Sequence, residues 1–237
     1  MAYQPSSSSG DIVWQHLGNL DGATQAVISF WFKPYTNFGD TAWGQYFSQY
    51  TTSNGIQAFL SGTNSESMRV GLNSDEWLPN DPQFPDTNWH HMFIRYDGGA
   101  TPRIRQWMDG TEHTSWTQTN APTSLSTNTQ SLRVGGGYAS LSSICELAVW
   151  TGCSIEGSTY INALKNGRLP TGAELNDYIS YLRFYAPMRN DATAVVYPGG
   201  WGSGTANVTA YSQVTHPASV DVYGGTPSPA CFVFFAD

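Results

Sequence analysis

Histidines are the first residues of this sequence that could serve catalysis or metal binding. None of the five lies in a His-Glu-x-x-His motif or beside a Gly-x-Ser-x-Gly turn. They are His16, His90, His91, His113 and His216. Because adjacent strand residues point to opposite faces of a sheet, His90 and His91 are not expected to share a metal ion. We predict that both serve packing or hydrogen bonding.

The carboxylate Glu146 lies in an otherwise apolar run, ICELAV, at residues 144–149. A retaining glycoside hydrolase needs two carboxyl groups about 5 Å apart, and residues on one strand face recur at every second position. No Asp or Glu follows Glu146 two or four residues later. The sequence therefore predicts no catalytic residue and no enzyme. Glu146 is predicted to be a structural carboxylate that bonds backbone or a cationic side chain.

A denser group of carboxylates lies at residues 75–86, DEWLPNDPQFPD, where four of them stand beside amide oxygens. Ca²⁺ prefers hard oxygen ligands of this kind. Their spacing follows no defined calcium loop, and three prolines stiffen the segment. We predict a solvated acidic loop without metal or cofactor, and a calcium site is the alternative.

Aromatic side chains are the candidate binding groups. The acidic segment carries Trp77 and Phe84, and neighbouring loops are expected to offer Trp43, Tyr46 and Trp201. Exposed rings stack on sugars or anchor protein interfaces, because each buries a large rigid area at small entropic cost. These five residues are the predicted binding residues for a ligand or partner, with core packing as the alternative for each.

Two strands within residues 88–110 are expected to form the frame that positions any site. Strict alternation at residues 89–96 and 103–108 is typical of strands, and the turn residues Asp97, Gly98 and Gly99 separate the two runs. In the first strand, one face is predicted to carry Met92, Ile94 and Tyr96 and the other His91, Phe93 and Arg95. In the second strand, one face is predicted to carry Ile104 and Met108 and the other Arg105 and Trp107.

The same signals predict six more strands, at residues 26–34, 44–51, 55–61, 67–73, 131–135 and 143–150. Helical spacing predicts a helix within residues 154–170 and a second helical turn at 171–178. Residues 179–187 are predicted to be a last strand that returns beside the first.

Several of these segments match a known pattern. Residues 89–98 (WHHMFIRYDG) and 106–110 (QWMDG) resemble the paired central strands of laminin-G-like, concanavalin A-like jelly rolls. Residues 131–136 (SLRVGG) and 144–150 (ICELAVW) are similar to the closing segment of that family, and residues 20–23 and 28–34 to its opening strands. The resemblance implies an all-β, antiparallel two-sheet jelly-roll β-sandwich with one or two short helices. Many relatives bind calcium at a loop rim, but the family's Ile-Asp-Glu is Ile-Cys-Glu here.

The resemblance also suggests a domain organisation. Residues 1–10 are predicted to be a flexible, Ser-rich arm, residues 11–190 the jelly roll, and residues 191–237 a C-terminal extension. The extension ends in an apolar run that includes Phe232, Phe234 and Phe235. Because an exposed run of this kind promotes aggregation, it must either pair as a strand or dock on a partner.

Composition narrows the class of protein. A net charge of −8 disfavours a phosphate-binding surface, so no nucleic acid is expected. No apolar run is long enough for a membrane span or a signal peptide. The three cysteines cannot form a complete disulfide framework. Cys145 is predicted to be a small buried hydrophobe, with a Cys145–Cys153 bridge as the alternative.

Two functions remain after these exclusions. The first is a non-enzymatic phage virion surface protein, made in the host cytoplasm, that decorates a capsid or belongs to a tail or fibre. Laminin-G-like jelly rolls are familiar on phage particles, and this reading explains the missing signal peptide and paired cysteines together. Its expected partners are other virion proteins, further copies of the chain and a cell-surface glycan. The alternative is a secreted or cell-surface carbohydrate-binding adhesion module.

Overall fold

The computed structural model describes residues 11–14, 16–34, 44–51, 53–60, 68–73, 75–79, 88–114, 116–118, 122–135, 142–166, 173–186, 207–208, 212–214 and 231–234. Within these ranges the chain is mostly β-strand. No helix there is long and apolar enough to span a membrane.

Sixteen strands follow one another along the described chain. They are β1 (Asp11–Val13), β2 (Gln25–Pro34), β3 (Gly44–Tyr50), β4 (Gly55–Leu60), β5 (Met68–Leu72), β6 (Asp75–Pro79), β7 (His90–Asp97), β8 (Ile104–Met108), β9 (Thr111–Glu112), β10 (Trp116–Gln118), β11 (Arg133–Gly135), β12 (Ser142–Thr151), β13 (Leu182–Ala186), β14 (Asn207–Val208), β15 (Ser212–Val214) and β16 (Cys231–Phe234). One α-helix, α1 (Ser158–Lys165), and 3₁₀ helices at Gly18–Leu20 and Ala173–Tyr181 complete them.

These strands form two antiparallel sheets. Sheet A has the order β10-β6-β5-β4-β3-β11-β1-β14. Sheet B has the order β15-β16-β12-β2-β7-β8-β9, and β13 also pairs with β12. The two sheets pack face to face, as expected for a concanavalin A-like jelly-roll sandwich.

Alternation along the strands builds the core between the sheets. Met92, Ile94 and Tyr96 of β7 belong to the main buried cluster, and Ile104 of β8 joins them. From sheet A, the same cluster receives Ile56 and Ala58 of β4, Met68, Val70 and Leu72 of β5, and Val134 of β11. The inner faces of both sheets are therefore apolar, as period-two patterning requires.

The predicted antiparallel hairpin is confirmed as β7–β8, in which Phe93 lies opposite Trp107 and Arg95 opposite Arg105. The turn after β7 approaches the chain near Thr123 closely. A Cβ added at Gly98 would lie 1.9 Å from the Thr123 carbonyl oxygen, so only glycine fits there. The turn at Gly98 therefore packs directly against the backbone near Thr123.

Most of the predicted elements are confirmed. All eight strands of the list and hairpin, the α-helix and the helical segment after it are present. Strand β6 was missed, because residues 75–79 were assigned to an acidic loop. Residues 179–181 belong to the second 3₁₀ helix and not to a strand. The prediction that the last strand returns beside the first, residues 26–34, is wrong, since β13 pairs with β12, and β12 lies between it and β2.

Candidate functional site

The outer face of sheet B is covered by a helical layer, and this decides where a binding face can lie. A second buried cluster contains Val27, Phe93 and Trp150 from the sheet. From residues 153–182 it contains Cys153, Ile155, Ile161, Leu164, Leu175 and Leu182. Because α1 and the second 3₁₀ helix bury this face, it offers no open surface between β2, β7 and β12.

The outer face of sheet A carries polar side chains instead. The inner residues of β4 are Ile56 and Ala58, so Gln57 and Phe59 point outward, and Phe59 belongs to neither buried cluster. Strand register places two rows across this face, Arg133–Ser48–Gln57–Gly71 and Gln45–Phe59–Arg69. We call these seven residues the sheet A outer-face cluster.

Gln57 lies at the centre of this cluster and packs against a glycine. A Cβ added at Gly71 would lie 2.8 Å from Gln57 Nε2 and 2.9 Å from its Cγ, so the side chain occupies the space that a larger residue would need. Gln45 Nε2 donates to Gln57 Oε1 at 3.5 Å, the outer limit of a hydrogen bond. Gln57 is only 9% exposed. A shielded amide with one weak partner in the described chain retains capacity to bond a ligand.

The side chains of the cluster can donate and accept hydrogen bonds on one face of the sheet. Amide groups donate and accept, guanidinium groups donate in a planar fork, and Ser48 offers a hydroxyl. Phe59 and Ser48 are themselves buried, at 2% and 4% exposure, so the members that a ligand can reach directly are the exposed Arg133 and the half-buried Gln45 and Arg69. This set suits a neutral polyhydroxyl ligand, whose paired hydroxyl groups both donate and accept.

A serine–histidine pair exists in sheet B but is unsuited to nucleophilic catalysis. Ser29 Oγ and His91 Nε2 are hydrogen-bonded at 2.9 Å, and both residues are at most 2% exposed. Burial lowers the pKa of His91 to about 3, against which Asp109 acts only partly. A base of this pKa that no substrate can reach does not activate a serine.

The side chains of His90 and His91 have different partners, in agreement with the prediction that each serves packing or hydrogen bonding. His90 Nδ1 lies 2.7 Å from Asp109 Oδ2, whereas the His91 ring contacts Ser29 and Trp31. Asp109 Oδ1 accepts a hydrogen bond from the His91 backbone N–H at 2.9 Å. Burial would raise the pKa of Asp109, but the hydrogen bonds from His90 and the His91 backbone lower it below its ordinary value.

Glu146 is a structural carboxylate with a partner that the sequence did not indicate. It is 6% exposed and accepts a hydrogen bond from the hydroxyl of Tyr185 on β13. Its φ of 53° coincides with a register shift between β12 and β2. This β-bulge explains why a carboxylate interrupts an apolar strand.

The structure changes the assignment of two predicted binding aromatics. The prediction of Tyr46 as a binding residue is wrong, because its side chain is 2% exposed and packs in the core against Phe30 and Phe32. A register shift in β3 between Gln45 and Phe47 turns it inward. Trp77 lies in β6 opposite Val70, and not in a loop. Trp43, Phe84 and Trp201 lie outside the described residues.

The tail pairs as a strand, one of the two predicted alternatives. Phe232 is opposite Ile144 and Phe234 opposite Ser142, so β16 extends sheet B beside β12. Strand β15 then pairs with the other edge of β16. Phe235 lies outside the described residues.

The cysteine and carboxylate side chains of the described residues do not form a metal-binding site. Cys145 and Cys153 are both buried and free, and Cys145 is part of the inter-sheet core as predicted. No group of three or more His, Cys, Asp or Glu side chains there is arranged so that it could hold a metal ion. Of the predicted acidic loop, Asp75–Pro79 is strand β6, and residues 80–86 lie outside the described part.

Sequence reasoning missed the polar members of the outer-face cluster. The alternation of Ile56, Gln57, Ala58 and Phe59 was sufficient to predict a strand, and it also placed Gln57 and Phe59 on the same side. The sequence gives no sign that residues 153–182 cover the outer face of sheet B. The aromatic loop residues were therefore the stronger candidates from sequence.

Comparisons with known proteins agree with this architecture. Residues 6–154 match the family model Laminin_G_3, described as the concanavalin A-like lectin/glucanases superfamily, and the chain belongs to that superfamily. No curated protein matches the sequence.

Solved structures are similar to this chain at low sequence identity. A protein from Bacteroides ovatus, assigned provisionally as a carbohydrate binding protein, is 12% identical with a TM-score of 0.58, and the match covers 87% of this chain and 57% of that one. A heptameric SAP-like pentraxin from Limulus polyphemus is 11% identical with a TM-score of 0.47, covering 87% and 94%. The receptor binding domain of botulinum neurotoxin mosaic serotype C/D is 11% identical with a TM-score of 0.41, covering 68% and 41%. At these identities the likeness concerns the fold alone.

Proposed function

We propose that this chain is a non-catalytic, lectin-like module that binds a saccharide on the outer face of sheet A. The observation that carries the proposal is the Gln57 amide, shielded over Gly71 with one weak partner at the centre of a polar face. Membership of a superfamily that contains lectins supports it. The provisional assignment of the Bacteroides ovatus protein to carbohydrate binding points in the same direction.

Arrangement of the two outer faces also favours this site. Sheet B buries its outer face beneath α1 and the second 3₁₀ helix, whereas sheet A carries the exposed Arg133 and the half-buried Gln45 and Arg69 around the shielded Gln57. A saccharide needs several hydrogen-bond donors and acceptors on one rigid surface, and a β-sheet supplies them at fixed spacing. The ligand is therefore expected to lie across β3, β4 and β5.

The test is an array of neutral, N-acetylated and sialylated oligosaccharides, followed by calorimetry with the strongest binder. Arg133→Gln and Gln57→Ala are expected to weaken binding about tenfold or more. Arg105→Gln is the matched control, since this arginine lies on sheet B with its side chain 36% exposed. Equal binding by R133Q, Q57A and R105Q would refute the site, and no binding to any glycan would refute the function.

We further propose that the module is carried on a phage particle, as a capsid decoration or a component of the tail or fibre. Two buried free cysteines support a chain that folds in a reducing cytoplasm before it is exposed to the medium. Mass spectrometry of purified particles is expected to detect the chain. Its absence from particles and presence in the culture medium would favour a secreted adhesion module instead.

Association of several copies is part of the same proposal, because repeated weak saccharide sites gain strength through avidity. Light scattering of the purified chain is expected to give a mass that is a multiple of 25.9 kDa. A monomeric mass at all concentrations would refute the proposed oligomer but would not bear on the proposed saccharide binding.

A further inference from the structure

A cluster of three tyrosines lies on the helical layer, on the opposite side of the molecule from the outer face of sheet A. Tyr181 is 38% exposed and is the one exposed large hydrophobic residue in the described part of the chain. Tyr160 of α1 and Tyr178 of the second 3₁₀ helix are half-buried. Because side chains three residues apart eclipse in a 3₁₀ helix, Tyr178 and Tyr181 lie on the same side.

The rings are held in fixed positions. Tyr160 and Tyr178 meet edge to face, with ring centroids 4.9 Å apart and planes at 90°. Both pack against the buried cluster beneath the helices. Tyr181 lies over Gly152, with its Cδ1 3.9 Å from the position of an added Cβ. A rigid aromatic surface binds without first losing side-chain freedom.

Polar groups surround the three rings. The Tyr160 hydroxyl donates to Asp177 Oδ2 at 3.3 Å, and Arg183 Nη1 donates to the Ser180 carbonyl at 2.6 Å. Asp177 is exposed. Burial, together with Tyr160, raises the pKa of Tyr178, so its hydroxyl keeps its proton as a donor. Aromatic faces beside a carboxylate acceptor suit a pyranose, whose C–H face covers a ring while its hydroxyls reach the oxygens.

The size of the cluster distinguishes a saccharide from a protein partner. A tyrosine ring buries about 150–250 Å² when fully covered; Tyr181 is 38% exposed, whereas Tyr160 and Tyr178 are half-buried. Together they offer at most about 200 Å² of aromatic surface, against about 800 Å² per partner in a stable protein interface. The cluster therefore fits one or two sugar rings.

We infer that Tyr160, Tyr178 and Tyr181 form a second saccharide-binding site on the helical layer, for a neutral sugar. The charges near the rings are of both signs, because Asp177 is exposed, Glu156 is ion-paired with Arg95, and Arg183 bonds the Ser180 carbonyl. The whole chain carries a net charge of −8, which disfavours sialylated and sulfated glycans. This inference shares with the proposed function the premise that the chain binds saccharides, but it rests on different residues.

The test uses Tyr181→Ala and Tyr181→Phe, each in the full-length chain and in the R133Q background. The probe is the same array of neutral, N-acetylated and sialylated oligosaccharides, with calorimetry on the strongest neutral binder. Y181A is expected to weaken binding of neutral glycans about tenfold in the R133Q background, whereas Y181F retains it because the ring remains. Thermal melting of each variant establishes that the fold is intact, as expected at an exposed position.

Each outcome separates this site from the one on sheet A. Binding that Y181A leaves unchanged in both backgrounds overturns the tyrosine site, whether or not R133Q weakens it. Binding that R133Q leaves unchanged and Y181A weakens supports the tyrosine site and refutes the one on sheet A. A loss confined to sialylated glycans overturns the neutral class. A change in oligomeric mass without a change in glycan binding shows a protein interface and overturns the inference.

Discussion

The buried histidine His91 is expected to make this protein less stable in mild acid. Its side chain lies inside sheet B at 1% exposure, with Nε2 bonded to Ser29 and Nδ1 without a partner in the described residues. Burial lowers its pKa from 6.5 to about 3, whereas Lys165 nearby adds to the lowering and Asp109 opposes it. In the folded protein the ring is therefore neutral throughout the physiological range.

The direction of the pH effect follows from the two pKa values. Because the unfolded chain binds a proton near pH 6.5 and the folded chain only near pH 3, acid favours unfolding. The contribution of His91 is complete above pH 6.5 and is lost as the pH falls towards 3. Each pH unit in this window is worth about 1.4 kcal/mol, so lowering the pH from 7 to 4 costs about 3 kcal/mol. That is a large part of the stability of an ordinary domain.

Urea unfolding of the chain at half-unit steps from pH 7 to pH 4 measures this loss. In His91→Gln, whose amide nitrogen takes the place of Nε2, the loss is expected to shrink by about 3 kcal/mol. Ser29→Ala is the matched control, since it removes the hydrogen bond and keeps the imidazole. S29A is expected to be less stable at every pH with an unchanged slope. An H91Q variant with the wild-type slope would refute the assignment of acid sensitivity to this ring.

Three further predictions concern other contacts. Gly71→Ala is expected to displace the Gln57 side chain and weaken glycan binding in calorimetry with little change in thermal midpoint, and unchanged binding would argue against Gln57 as a ligand group. Glu156→Gln removes the carboxylate from Arg95, whose side chain is 2% exposed, and is expected to cost about 1–3 kcal/mol in urea unfolding. Arg95→Met is expected to cost less than E156Q, since no uncompensated buried charge remains; the reverse order would contradict this reasoning. Val233→Pro removes an N–H between β12 and β15 and is expected to lower stability by about 1–3 kcal/mol, and an unchanged thermal midpoint would mean that the tail does not pair.

The strands of the sandwich were predictable because their signal is local. Alternation in residues 89–96 assigned Met92, Ile94 and Tyr96 to one face, and the structure places these three in the core between the sheets. Strand β6 was less predictable, since prolines and carboxylates at residues 75–86 are typical of a loop. It is a strand because β5 pairs with it from Val70 to Leu72.

The candidate site was less predictable than the fold. Tyr46 was predicted to be exposed on the strength of its residue type, but a one-residue register shift in β3 turns it into the core. Gln57 and Gly71 are adjacent only because β4 pairs with β5. Neither fact can be read from a run of residues, because each depends on the register of a neighbouring strand.

By itself, the sequence determined the main strands of the sandwich and, where no bulge intervenes, which of their residues face the same way. This follows from the two-residue period of a β-strand, which every run of residues carries within itself. Only the tertiary structure decided which outer face the helical layer covers. Residues 153–182 bury the outer face of sheet B, although Phe93 is some sixty residues away from Ile155 along the chain. Burial depends on what packs from elsewhere in the chain, and so the location of a site is a property of the folded molecule.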